Sequence, residues 1–185
     1  SSDSRYEDIH VPRLPVTIRD IPEIPAPVFT GLYLGSPAWE PAFRSWLHDR
    51  VLGDADGFYK IPTGAEQLDT LSWGNMSQVR LSFREDVAAS VDDLVLVGSN
   101  SGEVSASEFS YDSSTFVGTW TFPALGADKF LLSLSDAVTG ASSGLALDGE
   151  YMDGAGQASS GDGEAGGDFH FRFNVLPGDV SNSGY

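Results

Sequence analysis

From residue 78 onward, apolar and polar residues alternate with a period of two in several short segments. The positions that share one side of these segments are Val79, Leu81 and Phe83; Phe116, Gly118, Trp120 and Phe122; Phe130, Leu132 and Leu134; and Phe169, Phe171, Phe173 and Val175. A period of two places alternate side chains on opposite faces of a β-strand, so each segment predicts a strand with one buried face. Residues 94–97 add a short apolar run. Several strands separated by Gly-, Ser- and Asp-containing turns predict an antiparallel β-sandwich.

The first third of the chain has a different pattern. Residues 28–34 predict a first strand, and the segment after it predicts one short helix that opens near Glu40, with Pro41 in the first turn, where proline is tolerated. The residues that then share one face of the helix are Phe43, Trp46, Leu47 and Val51. We expect this helix to cover one end of the sandwich, with its aromatic side chains in the core.

The N-terminal segment contains five prolines, at positions 12, 15, 22, 25 and 27. This spacing predicts an extended arm or linker over residues 1–27, ahead of a β-sandwich domain over residues 28–177. Nothing in the chain repeats as strand, helix, strand, which argues against a parallel α/β sheet. The predicted fold is therefore all-β, with one short helix and an extended Pro-rich N-terminal arm.

Composition narrows the choice of partners. The chain of 185 residues has 10 Lys and Arg against 27 Asp and Glu, a formal net charge of −17. This charge makes binding to a phosphate backbone unfavourable, and we expect no nucleic-acid partner. There is no cysteine, which excludes thiol nucleophiles, disulfides and thiolate metal sites. No apolar run approaches the roughly 20 residues that span a bilayer, so we expect no membrane insertion.

The most distinctive local feature is an acidic, glycine-rich segment over residues 148–168. It contains six carboxylates and seven glycines but no basic residue. Carboxylates held so close together repel one another, and a hard divalent cation with flexible oxygen coordination relieves that repulsion. Calcium fits best, and the predicted ligands are Asp148, Asp153, Asp162, Glu164 and Asp168. The alternative is a solvated surface loop, because the spacing matches no defined calcium motif.

Other patterns give little support for catalysis. Residues 161–166 satisfy G-x-G-x-x-G, but two carboxylates inside the loop would repel a pyrophosphate and a strand, not a helix, follows. The three histidines, His10, His48 and His170, are scattered and no serine lies in a Gly-x-Ser-x-Gly elbow. The segment Asp54-Ala55-Asp56-Gly57 is predicted to be an ordinary Asp-Gly turn and not a pair of cation ligands. We therefore assign no catalytic or cofactor-binding residue and expect no enzyme.

Four tryptophans leave a second function open. Trp46 and Trp120 lie on apolar faces of their predicted elements and are expected in the core, whereas Trp39 and Trp73 are candidate surface aromatics. A flat strip built from Trp39 or Trp73 with neighbouring tyrosines would stack on sugar rings. The alternative function is therefore a carbohydrate-binding module of a polysaccharide-degrading enzyme.

The order of short motifs resembles the bacterial immunoglobulin-like repeat of surface-layer type. The residues that carry the resemblance are Phe83-Arg84-Glu85-Asp86-Val87, Asp93-Leu94-Val95-Leu96, Thr119-Trp120-Thr121-Phe122, Asp136-Ala137-Val138-Thr139 and Leu147-Asp148-Gly149. It covers roughly residues 75 to 176. The resemblance implies an Ig-like antiparallel sandwich from a large exported bacterial protein.

Residues 178–185 resemble the start of a dockerin type I calcium loop, "G-D-x-N-x-D-G". Ser181 and Ser183 stand where that loop has ligating side chains. The resemblance implies a sandwich directly upstream of a dockerin-like tail that docks to a cohesin-like partner.

These observations together predict a non-catalytic, extracellular or cell-surface module that serves as a spacer or adhesion domain and is stabilised by calcium. Its expected partners are other domains of the same protein, or components of the cell surface or matrix.

Overall fold

The computed structural model describes residues 24–156 and 159–178. Most of the predicted arm and of the predicted dockerin-like loop lies outside these residues. The strands in chain order are β1 (Phe29–Gly35), β2 (Tyr59–Lys60), β3 (Thr70–Leu71), β4 (Gln78–Phe83), β5 (Val87–Ala88), β6 (Leu94–Gly98), β7 (Gly102–Ser105), β8 (Glu108–Asp112), β9 (Val117–Thr121), β10 (Asp128–Leu134), β11 (Thr139–Gly140) and β12 (Phe169–Val175). Helix α1 spans Pro41–Asp49, and two short 3-10 helices span Gly64–Glu66 and Val91–Asp93.

Ten of these strands form two five-stranded sheets. The first sheet has the order β2-β1-β4-β9-β8, and all its neighbours are antiparallel. The second has the order β3-β12-β10-β6-β7, antiparallel except that the two-residue strand β3 runs parallel to β12. Strands β5 and β11 form a separate pair. The all-β prediction is confirmed, with one parallel pair among the described strands.

The two sheets contribute to one hydrophobic core. The alternating pattern of β4 buries Val79, Leu81 and Phe83, and that of β12 buries every second residue from Phe169. The rings of Phe29, from the first sheet, and Phe169, from the second, lie 4.1 Å apart. Strands β4 and β12 therefore bury the faces that the period of two predicts.

Helix α1 begins directly after Glu40, as predicted, but its aromatic residues are placed differently. Leu47 is fully buried, whereas Trp46 is 38% exposed and Val51, 87% exposed, lies beyond the end of the helix with a φ of 60°. The prediction that Trp46 lies in the core is wrong. The helix has only nine residues, and only Leu47 of its predicted apolar face is fully buried.

Trp39 is buried, contrary to its prediction as a surface aromatic. Its indole Nε1–H donates a hydrogen bond to the Gly74 carbonyl at 2.7 Å, which satisfies the one polar group of the side chain inside the protein. Within the described residues, no helix is long and apolar enough to cross a membrane.

Candidate cation site

The acidic segment connects β11 to β12, and its described residues form no strand. Its first part is fixed to the residues that precede and open β1. The Asp148 N–H donates to the Pro27 carbonyl at 2.9 Å, and the Phe29 N–H donates to Ser160 Oγ at 3.2 Å. Ser160 Oγ in turn donates to the Asp148 carbonyl at 2.6 Å. The segment is therefore anchored to the body of the domain at Asp148 and Ser160.

Three carboxylates converge in this segment, those of Asp148, Glu150 and Asp162. One oxygen from each lies within 4.8 Å of the other two. Asp148 is buried, while Glu150 and Asp162 are exposed, so the group faces solvent on one side. Two oxygens bound to one calcium at 2.3–2.6 Å can be no more than about 5 Å apart. This cluster, which we call the carboxylate triad, can hold a metal ion.

The backbone of the loop holds Asp148 in place. Its Oδ1 accepts a hydrogen bond from the Asp162 N–H at 2.8 Å, and its Oδ2 accepts one from the Gly163 N–H at 3.0 Å. Gly161 makes this close approach possible. It has a φ of +106°, and a Cβ at this position would lie 2.6 Å from Asp148 Oδ2. A glycine is thus required where the loop turns back on Asp148.

The triad affects the ionisation of its own members. A hydrogen bond from the Glu150 backbone N–H lowers the pKa of the Glu150 carboxyl, but several other effects raise it. They are desolvation, a hydrogen bond shared with the Asp148 carboxyl, and the negative charges of Asp162 and Asp148. The net result is a pKa raised above the usual 4.5. Glu150 therefore keeps its proton to higher pH than an isolated glutamate, and a bound cation would oppose that.

The structure brings together only part of the predicted ligand set. Asp148 and Asp162 belong to the triad; Glu150, which was not among the predicted ligands, completes it. The signal for Glu150 was present in the sequence, since it lies two residues from Asp148 in the same segment. Which of the six carboxylates converge is decided by the turn at Gly161, which the spacing alone does not give.

Asp153 is engaged elsewhere. Its Oδ2 accepts a hydrogen bond from Arg172 Nε at 2.5 Å, and its Oδ1 accepts one from the side-chain amide of the buried Gln67. These bonds attach the acidic segment to β12 instead of placing Asp153 at the triad. The cause is a basic partner on β12, Arg172, which lies outside the acidic segment of residues 148–168.

The two remaining predicted ligands are exposed and also lie outside the triad. Glu164 contributes its backbone N–H, which donates to Asp162 Oδ1 at 3.0 Å. Asp168 accepts a hydrogen bond from the Asp136 N–H at 2.9 Å through Oδ1. Asp168 therefore ties the start of β12 to the turn that follows β10.

The other candidate chemistries are arranged as follows. His170 Nδ1 lies 3.0 Å from Ser133 Oγ on the exposed face of the second sheet, and the hydrogen bonds found within the described residues bring no carboxylate to this pair. Trp73 is half-buried among aromatic rings, with its ring centre 6.2 Å from that of Trp46. Trp39 is buried and cannot belong to the predicted sugar-stacking strip of Trp39 or Trp73 with neighbouring tyrosines. Trp73 does contact a tyrosine, Tyr59, but their rings meet at 62° and do not form a flat strip.

No family model, no curated protein and no solved structure matches this chain. The resemblances to the surface-layer Ig-like repeat and to the dockerin loop therefore stay predictions from sequence motifs.

Proposed function

We propose that this protein is a non-catalytic module of an exported protein, a spacer or adhesion domain whose acidic loop is stabilised by calcium. The observation that carries the proposal is the convergence of Asp148, Glu150 and Asp162 within 4.8 Å. Its partners in this proposal are neighbouring domains of the same protein or components of the cell surface or matrix.

Calcium is favoured over other ions by the donor set and by the loop. All three side chains offer hard carboxylate oxygens, and the chain has no cysteine to bind a softer metal. Magnesium demands near-ideal octahedral geometry at about 2.0–2.1 Å and gives up its water reluctantly, whereas calcium accepts irregular coordination and completes its shell with carbonyls and water. An irregular loop open to solvent on one side suits calcium better.

Thermal unfolding of this chain, first in chelator and then in calcium, tests the proposal, with magnesium as the control ion. A ligand that binds only the folded state at a hundredfold excess over its Kd stabilises by about 2.7 kcal/mol, which raises Tm by roughly 5–10 °C for a domain of this size. We expect Asp162→Asn to abolish the rise in Tm caused by calcium.

Glu164→Gln is the matched control. It removes one carboxylate two residues away on the same exposed loop but outside the triad, and we expect it to retain the calcium effect. Coincident unfolding curves with and without calcium would exclude the proposal. Equal loss in both variants would show that calcium responds to the overall charge of the loop and not to the triad.

The effect of calcium should also depend on pH. Because the pKa of Glu150 is raised, binding must displace a proton at pH values where Glu150 is still protonated. Deprotonation of Glu150 in the calcium-free protein destabilises the folded state as pH rises through this raised pKa, and calcium removes that repulsion. We therefore expect a larger calcium-induced rise in Tm near pH 7.5 than near pH 5, and Glu150→Gln to flatten the dependence. A rise that is independent of pH in the unaltered protein would contradict the coupling.

A further inference from the structure

The outer face of the first sheet carries a groove of about 380 Å³ that is lined mainly by residues with polar side chains, although carbon atoms make up most of its exposed surface. Its floor is a row of adjacent side chains across β4, β9 and β8. Arg80 pairs with Thr119, and Thr119 pairs with Ser110. These residues alternate with buried or half-buried neighbours, so they lie on the face of the sheet opposite the core. Groove volumes of about 300–1,000 Å³ are typical of sites for small organic ligands.

One wall of the groove is the turn Asp54-Ala55-Asp56-Gly57, which the sequence predicts to be an ordinary Asp-Gly turn. Arg80 holds it in place, with Nη1 at 2.7 Å from both Asp54 Oδ2 and Asp56 Oδ2. The guanidinium lies over the Phe58 ring, with 3.7 Å between Cζ and the ring centroid. Asp54 Oδ1 also accepts the N–H of Phe58 at 2.9 Å. This wall is therefore rigid before any ligand binds, which lowers the entropic cost of binding.

The opposite wall is the turn between β8 and β9. Asp112 begins it and accepts hydrogen bonds from the backbone N–H and the hydroxyl of Ser114, at 2.9 and 2.6 Å, through Oδ1. Val117, which pairs with Asp112, supplies an apolar patch between the polar rows. The groove thus combines acceptors, hydroxyls that both donate and accept, a guanidinium and a substantial apolar surface.

The charged groups of the groove and their existing bonds narrow the class of ligand. An anionic ligand would face the carboxylates of Asp54, Asp56 and Asp112. Arg80 balances only one of these three negative charges, but it bonds both Asp54 and Asp56, so a cationic ligand would compete with the guanidinium for two of the three carboxylates. A neutral polyhydroxylated ligand is not repelled by the carboxylates and does not have to displace Arg80. Each sugar hydroxyl both donates and accepts hydrogen bonds, so it can bond to carboxylates and to side-chain hydroxyls.

We propose that this groove is a binding site for neutral oligosaccharides. Neither Trp39 nor Trp73 lines it, and it requires no metal. Ser110 and Thr119 bond the sugar hydroxyls from the floor, Asp112 accepts from one side, and Val117 contacts the apolar face of a sugar ring. This site shares no residue with the carboxylate triad, so the sugar proposal and the calcium proposal can be tested separately.

Titration calorimetry of the full chain with cellohexaose, xylohexaose and mannohexaose tests the site, with spermine as the cationic comparison. Chelator is present throughout, so that the carboxylate triad cannot contribute. We expect at least one hexasaccharide to bind, and Ser110→Tyr, which fills the groove from an exposed edge-strand position, to weaken that binding by at least about tenfold. Asp112→Asn is the second variant and removes an acceptor without adding bulk.

Ser105→Tyr is the matched control, since Ser105 is equally exposed on β7, the edge strand of the other sheet. It should bind the sugar as the unaltered chain does. The proposal is overturned if none of the three hexasaccharides binds at millimolar concentration. It is also overturned if Ser110→Tyr and Ser105→Tyr bind equally well, or if spermine alone binds and salt abolishes that binding.

Discussion

At the scale of single residues, carboxylates shape the turns of this protein as well as its candidate sites. Asp128, 8% exposed at the start of β10, accepts hydrogen bonds from the backbone N–H groups of Asn100 and Ser101 and from the Ser101 hydroxyl. Desolvation raises the pKa of Asp128, but these bonds and one from the Lys129 N–H outweigh it and hold the pKa at about 2. The charge of Asp128 therefore fixes the turn between β6 and β7.

Asp128→Asn should lower the free energy of unfolding at neutral pH by about 1–3 kcal/mol, because charged acceptors make stronger bonds than amides. The folded-state pKa of Asp128 is depressed from 3.8, so its contribution is complete above the unfolded value and is lost as pH falls through about 2. Urea denaturation between neutral and acidic pH measures both effects. Asp136→Asn, at an exposed turn, is the control and should change the free energy of unfolding little. If the difference in free energy of unfolding between the unaltered chain and Asp128→Asn does not become smaller in acid, the role given to the Asp128 charge is wrong.

At the scale of elements, helix α1 shows how packing selects among apolar residues on one predicted face. Leu47 is fully buried against the core, whereas Trp46 contacts Phe43 and Trp73 near the surface and has the Arg50 guanidinium 4.9 Å from its ring centre. The anchor of the helix is therefore its smaller side chain.

We expect Leu47→Ala to lower the free energy of unfolding by about 2–5 kcal/mol, as is usual for a leucine truncated in a core. Trp46→Ala should cost about 1 kcal/mol, although it removes more atoms, since much of that side chain is already in water. Chemical denaturation of the two variants makes the comparison. A larger loss for Trp46→Ala would mean that the aromatic cluster, and not Leu47, anchors the helix.

At the scale of the whole molecule, charge repulsion opposes the compact state. The net charge of −17 is spread over a fold with few ion pairs, and those among the described residues join Arg80 to Asp54 and Asp56 and Arg172 to Asp153. Repulsion between carboxylates therefore exceeds attraction at low ionic strength.

Raising NaCl from about 10 mM to about 500 mM in the presence of chelator should raise Tm, because the Debye length falls from about 30 Å to less than 8 Å and screens that repulsion. The chelator separates this general effect from calcium binding. Differential scanning calorimetry at several NaCl concentrations provides the measurement. A Tm that falls with salt would show that the ion pairs of Arg80 and Arg172 dominate the electrostatics of folding.

The sequence by itself determined six of the strands, β1, β4, β6, β9, β10 and β12, and the acidic segment. The alternation in β4, β10 and β12 predicted their buried faces correctly, because a period of two is a local property of an extended chain and any core must cover its apolar side. The start of the helix was also predicted from a local signal, the proline at position 41 in its first turn. Asp148 and Asp162 were predicted ligands because both lie in one acidic, glycine-rich stretch.

Only the tertiary structure decided which side chains meet. Glu150 joins Asp148 and Asp162 because the loop folds back at Gly161, whereas Asp153 pairs with Arg172, a partner 19 residues away. Trp39 is buried and Trp46 is exposed because burial depends on how the other elements pack around each ring. Local periodicity fixes the direction of a side chain relative to its own backbone. Long-range packing determines which other groups that side chain contacts.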